Sequence, residues 1–136
     1  MRKIFILLLF PFAACNSQSQ WVGGKISKAG VYEYQGLQII VTDFDHILEY
    51  YMLNVDGDTL VSTDQKFSSF QRWAIHLDKD KNLWVFSSDI GDACWERDPS
   101  SEQYAKREFI GLIPKDSIPA EVYNTLKEFH PYSRRK

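Results

Sequence analysis

Apolar and polar residues alternate over residues 72–78, with Trp73, Ile75 and Leu77 on one side and Arg72, His76 and Asp78 on the other. That period of two is the signature of a strand with one buried face. Over 83–86 both sides are apolar, Trp84 and Phe86 against Leu83 and Val85, which predicts a central strand covered on both faces. Lys79, Asp80, Lys81 and Asn82 form a polar turn cluster between the two. A second turn at Asp89, Ile90, Gly91 and Asp92 leads into a third strand over 93–98. Loop parity sets the core, because opposed residues of an antiparallel pair share a face and a one-residue slip exchanges faces. An even first loop joins Trp73, Ile75 and Leu77 to Trp84 and Phe86; an odd one joins them to Leu83 and Val85. Aromatic pairs add about 0.5–1.5 kcal/mol beyond area burial, so the even register, which unites the largest side chains, is the expectation. For the second loop, an even count sets Trp95 opposite Phe86, whereas an odd count has Gly91 supply a bulge and sets Cys94 opposite Phe86, burying its thiol.

Elsewhere the pattern predicts a short strand over 31–34, a turn at Gln35-Gly36 and a strand over 37–42. Strands over 47–55 and 59–63 flank Asp56-Gly57, a hairpin signal because this pair tolerates positive φ. A helix over 45–53 capped by Asp45 is the alternative; the hairpin signal and the β-formers Tyr50 and Tyr51 favour the strand. Residues 67–70 read as one helical turn with Phe67 and Phe70 on one side, and 104–112 as a further strand. Near the end Val122, Tyr123, Leu126 and Phe129 recur at helical spacing, Pro119 fits the first turn, and Asp116 or Ser117 can cap it. The expected class is mainly β, of the α+β kind: a twisted antiparallel sheet of five to seven strands with a C-terminal helix on one face or closing one end.

Lys79–Gly91 contains Asn82-Leu83-Trp84-Val85 and resembles one repeat of the two-component-regulator type of β-propeller, with Lys81 where that repeat has glycine. The likeness covers about a tenth of the chain and occurs once, while a propeller needs several blades. It implies a shared hairpin and no function.

Met1-Arg2-Lys3 is a basic start, followed by an apolar run over 4–14 and then Phe12-Ala13-Ala14-Cys15. This resembles a bacterial lipoprotein signal peptide with its lipobox, with Phe12 where leucine is commoner. The resemblance implies that residues 1–14 are removed and that Cys15 is diacylglycerated as the mature amino terminus. The chain then divides into the signal at 1–14, a lipidated start and flexible tether at 15–30, and one antiparallel-β domain with its helix at 31–136. Length argues against the competing reading of a transmembrane anchor: eleven residues at 1.5 Å each span about 16 Å, against about 30 Å of hydrocarbon, and Pro11 interrupts the run. An ordinary secretory cleavage after Ala13-Ala14 is the other reading. Asn16-Ser17-Gln18-Ser19-Gln20 is polar and uncharged, a tether without the acidic cluster that resembles a surface-export signal. The expected location is the outer membrane, facing the periplasm.

Without residues 1–14, 122 of the 136 residues remain, one domain's worth, and the basic count falls from 16 to 14 against 18 acidic residues. That net of −4 gives no electrostatic support for nucleic-acid binding. With Cys15 acylated, Cys94 is left without a partner for an intramolecular disulfide.

Candidate chemistry is sparse. Asp78, Asp80 and Asn82 match the first ligand positions of an EF-hand loop, but Leu83 replaces its glycine and Asp89 its final glutamate. Asp43 and Asp45 lie two apart, as on one strand face, where a pair buried in a cleft does acid–base work and an exposed one is the polar side of an edge strand. His46, His76 and His130 have no zinc-site spacing, and neither a nucleophile elbow nor a glycine-rich phosphate loop occurs. No catalytic residue, metal or cofactor is assigned. The expectation is a non-enzymatic envelope module that binds a protein or wall component, of inhibitor, immunity or assembly-accessory type, with a small periplasmic enzyme as the alternative. Tyr32, Tyr34 and Tyr50 are the candidate contact residues.

Overall fold

The computed structural model describes residue 21, residues 23–109 and residues 118–129. Its elements are β1 (Gly24–Ile26), β2 (Gly30–Tyr34), β3 (Leu37–Phe44), β4 (Ile47–Leu53), β5 (Thr59–Ser62), β6 (Phe67–Ser68), β7 (Trp73–Leu77), β8 (Leu83–Ser87), β9 (Asp92–Arg97), β10 (Tyr104–Phe109) and α1 (Ala120–Phe129). The class is the expected one, mainly β with a C-terminal helix. The strands divide between two antiparallel sheets of five, where a single sheet of five to seven was expected. One sheet runs β1-β7-β8-β9-β10; the other runs β2-β3-β4-β5, with β6 also paired to β4.

The division follows from which faces are apolar. Leu37, Ile39 and Val41 of β3 and Leu48, Tyr50 and Met52 of β4 meet Ile26, Ile75, Leu77, Leu83 and Val85 of the facing sheet in one core. The back of that facing sheet is also apolar: Ala74, Trp84, Phe86 and Cys94 pack against Ile118, Val122 and Leu126 of the helical segment. The result is three layers, sheet on sheet on helix. β8, buried throughout, lies in the middle layer, as its two apolar sides require.

The register between β7 and β8 differs from expectation. Ile75 pairs with Val85, His76 with Trp84 and Leu77 with Leu83. Trp73 therefore lies on the sheet-facing side and Phe86 on the helix-facing side. The turn explains this. Five residues, 78–82, close it: Lys81 N–H donates to Asp78 O at 3.0 Å, and Asp78 N–H to Asn82 O at 3.1 Å. Lys81 sits at φ +67°, where the resembled repeat has glycine. A five-residue connection with one left-handed residue is odd in count, and its geometry outweighed the aromatic contacts that an even count offered. Lys81→Gly should raise stability by roughly 0.5–1 kcal/mol, since only the non-glycine residue is disfavoured in that conformation. Urea unfolding followed by tryptophan fluorescence checks the sign; a lower midpoint would contradict it.

The β8–β9 connection has the odd count, but its register sets Cys94 opposite Trp84 where Phe86 was expected. Gly91 adopts φ +94°, and the Cys94 thiol is fully buried. Asp56-Gly57 makes the expected turn, with Gly57 N–H to Asn54 O at 3.0 Å, and β4 is a strand as favoured over the helix. Residues 67–70 are not a helical turn: Phe67 begins β6 and is buried, while Phe70 stands out in solvent. Trp21 folds back, edge-on to Tyr32 at 5.4 Å and to Tyr34 at 6.1 Å. The helix starts after Pro119, whose carbonyl accepts Tyr123 N–H at 2.9 Å. Residues 1–20 with Cys15, the expected caps Asp116 and Ser117, residues 110–112 and His130 lie outside the described residues.

Candidate binding surface

The polar face of β7, expected in solvent, lies under α1. His76 is buried, its Nδ1 3.0 Å from Thr125 Oγ1. Burial lowers its pKa below the usual 6.5, against the raising influence of Glu121 and Asp78. Unfolding returns the ring to the ordinary value, so the unfolded chain binds more protons between the two values. The stability from neutral His76 is therefore present above pH 6.5 and lost as pH falls below it. Urea midpoints at pH 7.5 and 5.5 should differ in the wild type more than in His76→Gln; equal differences would refute the assignment.

Asp78, beside it, is 1% exposed. Its Oδ1 accepts the N–H groups of Asp80 and Asn82, each at 2.9 Å, and its Oδ2 accepts Asn82 Nδ2 at 3.1 Å and Trp84 Nε1 at 2.9 Å. The carboxylate that suggested a calcium loop is taken up by the chain's own donors. Burial pushes the Cys94 thiol pKa far up, the opposite of what a nucleophile requires. These three groups build the middle layer.

Asp43 and Asp45 do not share a strand face. Asp43 lies within β3, paired with Leu48, whereas Asp45 and His46, at φ +52° and +64°, form the two-residue turn into β4. Tyr50 is in the inter-sheet core, 2% exposed, its hydroxyl accepting Trp95 Nε1–H at 3.0 Å. Tyr32 and Tyr34 are half-buried against Trp21. None of the three tyrosines forms an open contact surface.

At the pole holding the Gln35-Gly36 turn, the two sheets part into a mouth of about 670 Å³ lined by Asp56, Asp58, Lys81, Arg97, Glu102 and Tyr104. Arg97 pairs there with Glu102 at 3.4 Å, and Tyr104 O–H donates to Lys81 O at 2.7 Å. These contacts join turns of one sheet to each other.

Val55, 78% exposed, stands at this mouth, and the opposite pole carries Phe44, Ile47 and Phe70. Phe44 is 80%, Phe70 76% and Ile47 43% exposed. Phe44 and Ile47 are the last cross-strand pair of β3 and β4, and both point away from the inter-sheet core. Ser69 N–H donates to His46 O at 2.9 Å, and the His46 ring stacks on Phe70 with centroids 4.0 Å apart. Phe70 N–H donates to Ser68 Oγ at 3.1 Å, and Ser68 N–H to Asp89 Oδ2 at 2.9 Å. Three connections are thus tied together, and two phenylalanines are held outward on a fixed frame. Farther along the same sheet face, Val31, Ile40 and Tyr51 form a cross-strand row. A signal for this pole existed: with Leu37, Ile39 and Val41 inward, parity turns Phe44 outward. Phe70 carried none, because its place depends on the β4–β6 pairing.

No protein-family model, curated protein or solved structure matches the chain.

Proposed function

We propose that the protein is a small cell-envelope lipoprotein whose domain is a non-enzymatic binding module. It is held by acylated Cys15 on the periplasmic side of the outer membrane and docks an envelope protein through the Phe44–Phe70 pole. The observation that carries the reading is the pair of phenylalanines, each more than three-quarters exposed, on loops tied by a main-chain bond and a ring stack. Stability does not require them outside, whereas a preorganised aromatic patch lowers the ordering cost of an interface. His76, Asp78 and Cys94 support it from the other side, being enclosed beneath α1. The anchor rests on Phe12-Ala13-Ala14-Cys15 after an apolar run, and two or three acyl chains hold where one binds marginally.

Two variants test the reading. Cys15→Ser should release the chain from the membrane fraction or leave it unprocessed, and an unmodified wild-type Cys15 in mass spectrometry would end the lipoprotein assignment. Phe44→Ser with Phe70→Ser should fail to restore function to a strain deleted for the gene, where the wild type restores it, while leaving the melting temperature within a few degrees. Full rescue by that double variant refutes docking at this pole.

A further inference from the structure

The aromatic pole has a charge as well as an apolar character. Asp43 and Asp45 flank Phe44, both exposed, and Asp89 anchors the neighbouring loop at Ser68. Arg72 stands against them at the same end, its main chain bonded to Ser88 at 2.9 Å. Glu49 and Lys66 pair at 3.6 Å and cancel. On the segments that carry Phe44 and Phe70, and on the loop tied to them at Ser68, Asp43, Asp45 and Asp89 stand against Arg72.

Position adds a second constraint. Trp21 is fixed on Tyr32 and Tyr34, at the end of the sheet where Tyr34 pairs with Leu37. From there β3 runs eight residues to Phe44, roughly 23 Å at 3.3 Å per residue. The chain thus enters the domain at one pole and presents its aromatics at the other.

We propose that the Phe44–Phe70 pole docks a protein partner whose apolar groove is rimmed by lysine or arginine side chains. The inference rests on the binding-module reading and names the chemistry of its partner. A bilayer surface fits poorly: its anionic headgroups repel Asp43 and Asp45, and the chain enters at the opposite pole. A second copy of this chain would bring like carboxylates together, at a further cost. A basic-rimmed groove satisfies both parts, with the phenylalanines filling apolar space and the aspartates facing cations at the margin.

The test is photocross-linking of the full chain in its own envelope, with a photoreactive phenylalanine analogue at Phe70 and, as control, at Gln103 on the other pole. The expected result is an adduct from position 70 with another protein, mapped by mass spectrometry to an apolar segment flanked by lysine or arginine, with the control position silent. Asp43→Lys combined with Asp45→Asn, the asparagine chosen because it tolerates positive φ, should lower the yield roughly ten-fold. The unsubstituted pole gives an independent check: in isolated envelopes the yield should fall as salt rises from about 0.05 to about 0.5 M. A lipid adduct, a self-adduct or no adduct at position 70 overturns the proposal, as does a protein adduct indifferent to both charge and salt. That last outcome leaves the binding-module reading standing; silence at both positions removes it too.

Discussion

Asp78→Ala should destabilise the domain by roughly 3–5 kcal/mol, a large part of the 5–15 kcal/mol that holds a typical domain together. The carboxylate is 1% exposed and accepts two main-chain and two side-chain donors. Alanine leaves those donors without their acceptor, the indole Nε1 of Trp84 beneath the helix among them, and such a group costs about 1–3 kcal/mol. The same turn recurs at Asn54, whose Oδ1 accepts Asp56 N–H at 3.0 Å and Asp58 N–H at 2.9 Å. That turn is at the surface, where water replaces the lost acceptor, so Asn54→Ala should cost only about 1 kcal/mol. Urea unfolding of both variants decides the matter. Equal losses would mean that Asp78 is a turn residue alone and ties nothing in the interior.

The comparison of those two turns also explains what could be read from the chain. Both close five residues with the left-handed position fourth, Gly57 in one and Lys81 in the other, at φ +84° and +67°. Asp56-Gly57 announced its hairpin because glycine marks positive φ; lysine at 81 hid the same geometry, and the parity of β7 against β8 was lost with it. Strand positions came through well, since alternation is local: β2, β3, β4, β7, β8 and β9 lie where periodicity put them. The partition into two sheets was not local. It depends on β1 pairing with β7 across some fifty residues, through Ile26 and Ile75, and three-residue strands carry almost no pattern.

The binding pole was harder to see for a related reason. His76 and Asp78 looked solvent-facing because their neighbours on β7 alternate, yet α1 covers that side and makes them interior. Tyr50 looked free because strand alternation does not say which face is the core. Phe44 falls beyond the strand expected over 37–42 and only an extension of its parity turns it outward, whereas Phe70 acquires its role only when Ser69 reaches His46. Groups that act through distant pairing leave no spacing to recognise.

Trp84→Ala should cost about 3–5 kcal/mol from lost packing, and the loss of the indole's bond to Asp78 adds to it. The ring is 2% exposed and lies nearly parallel to Phe109, 5.9 Å away at 8°, and to Phe86, 6.4 Å away at 21°. Trp84→Phe keeps most of the apolar contact and removes the Nε1 donor, so it should cost about 1.5–3 kcal/mol, the worth of a hydrogen bond to a charged acceptor. Its combination with Asp78→Ala should be markedly less than additive, with a coupling on the order of 1–2 kcal/mol. Trp73 supplies the contrasting cycle. It packs on Phe67 at 6.2 Å on the sheet-facing side, with the backbone of the middle sheet between it and Trp84. Trp73→Phe and Trp84→Phe should therefore add to within about 0.5 kcal/mol. A larger coupling would place the two indoles on one face, as an even loop requires, and would overturn the three-layer register.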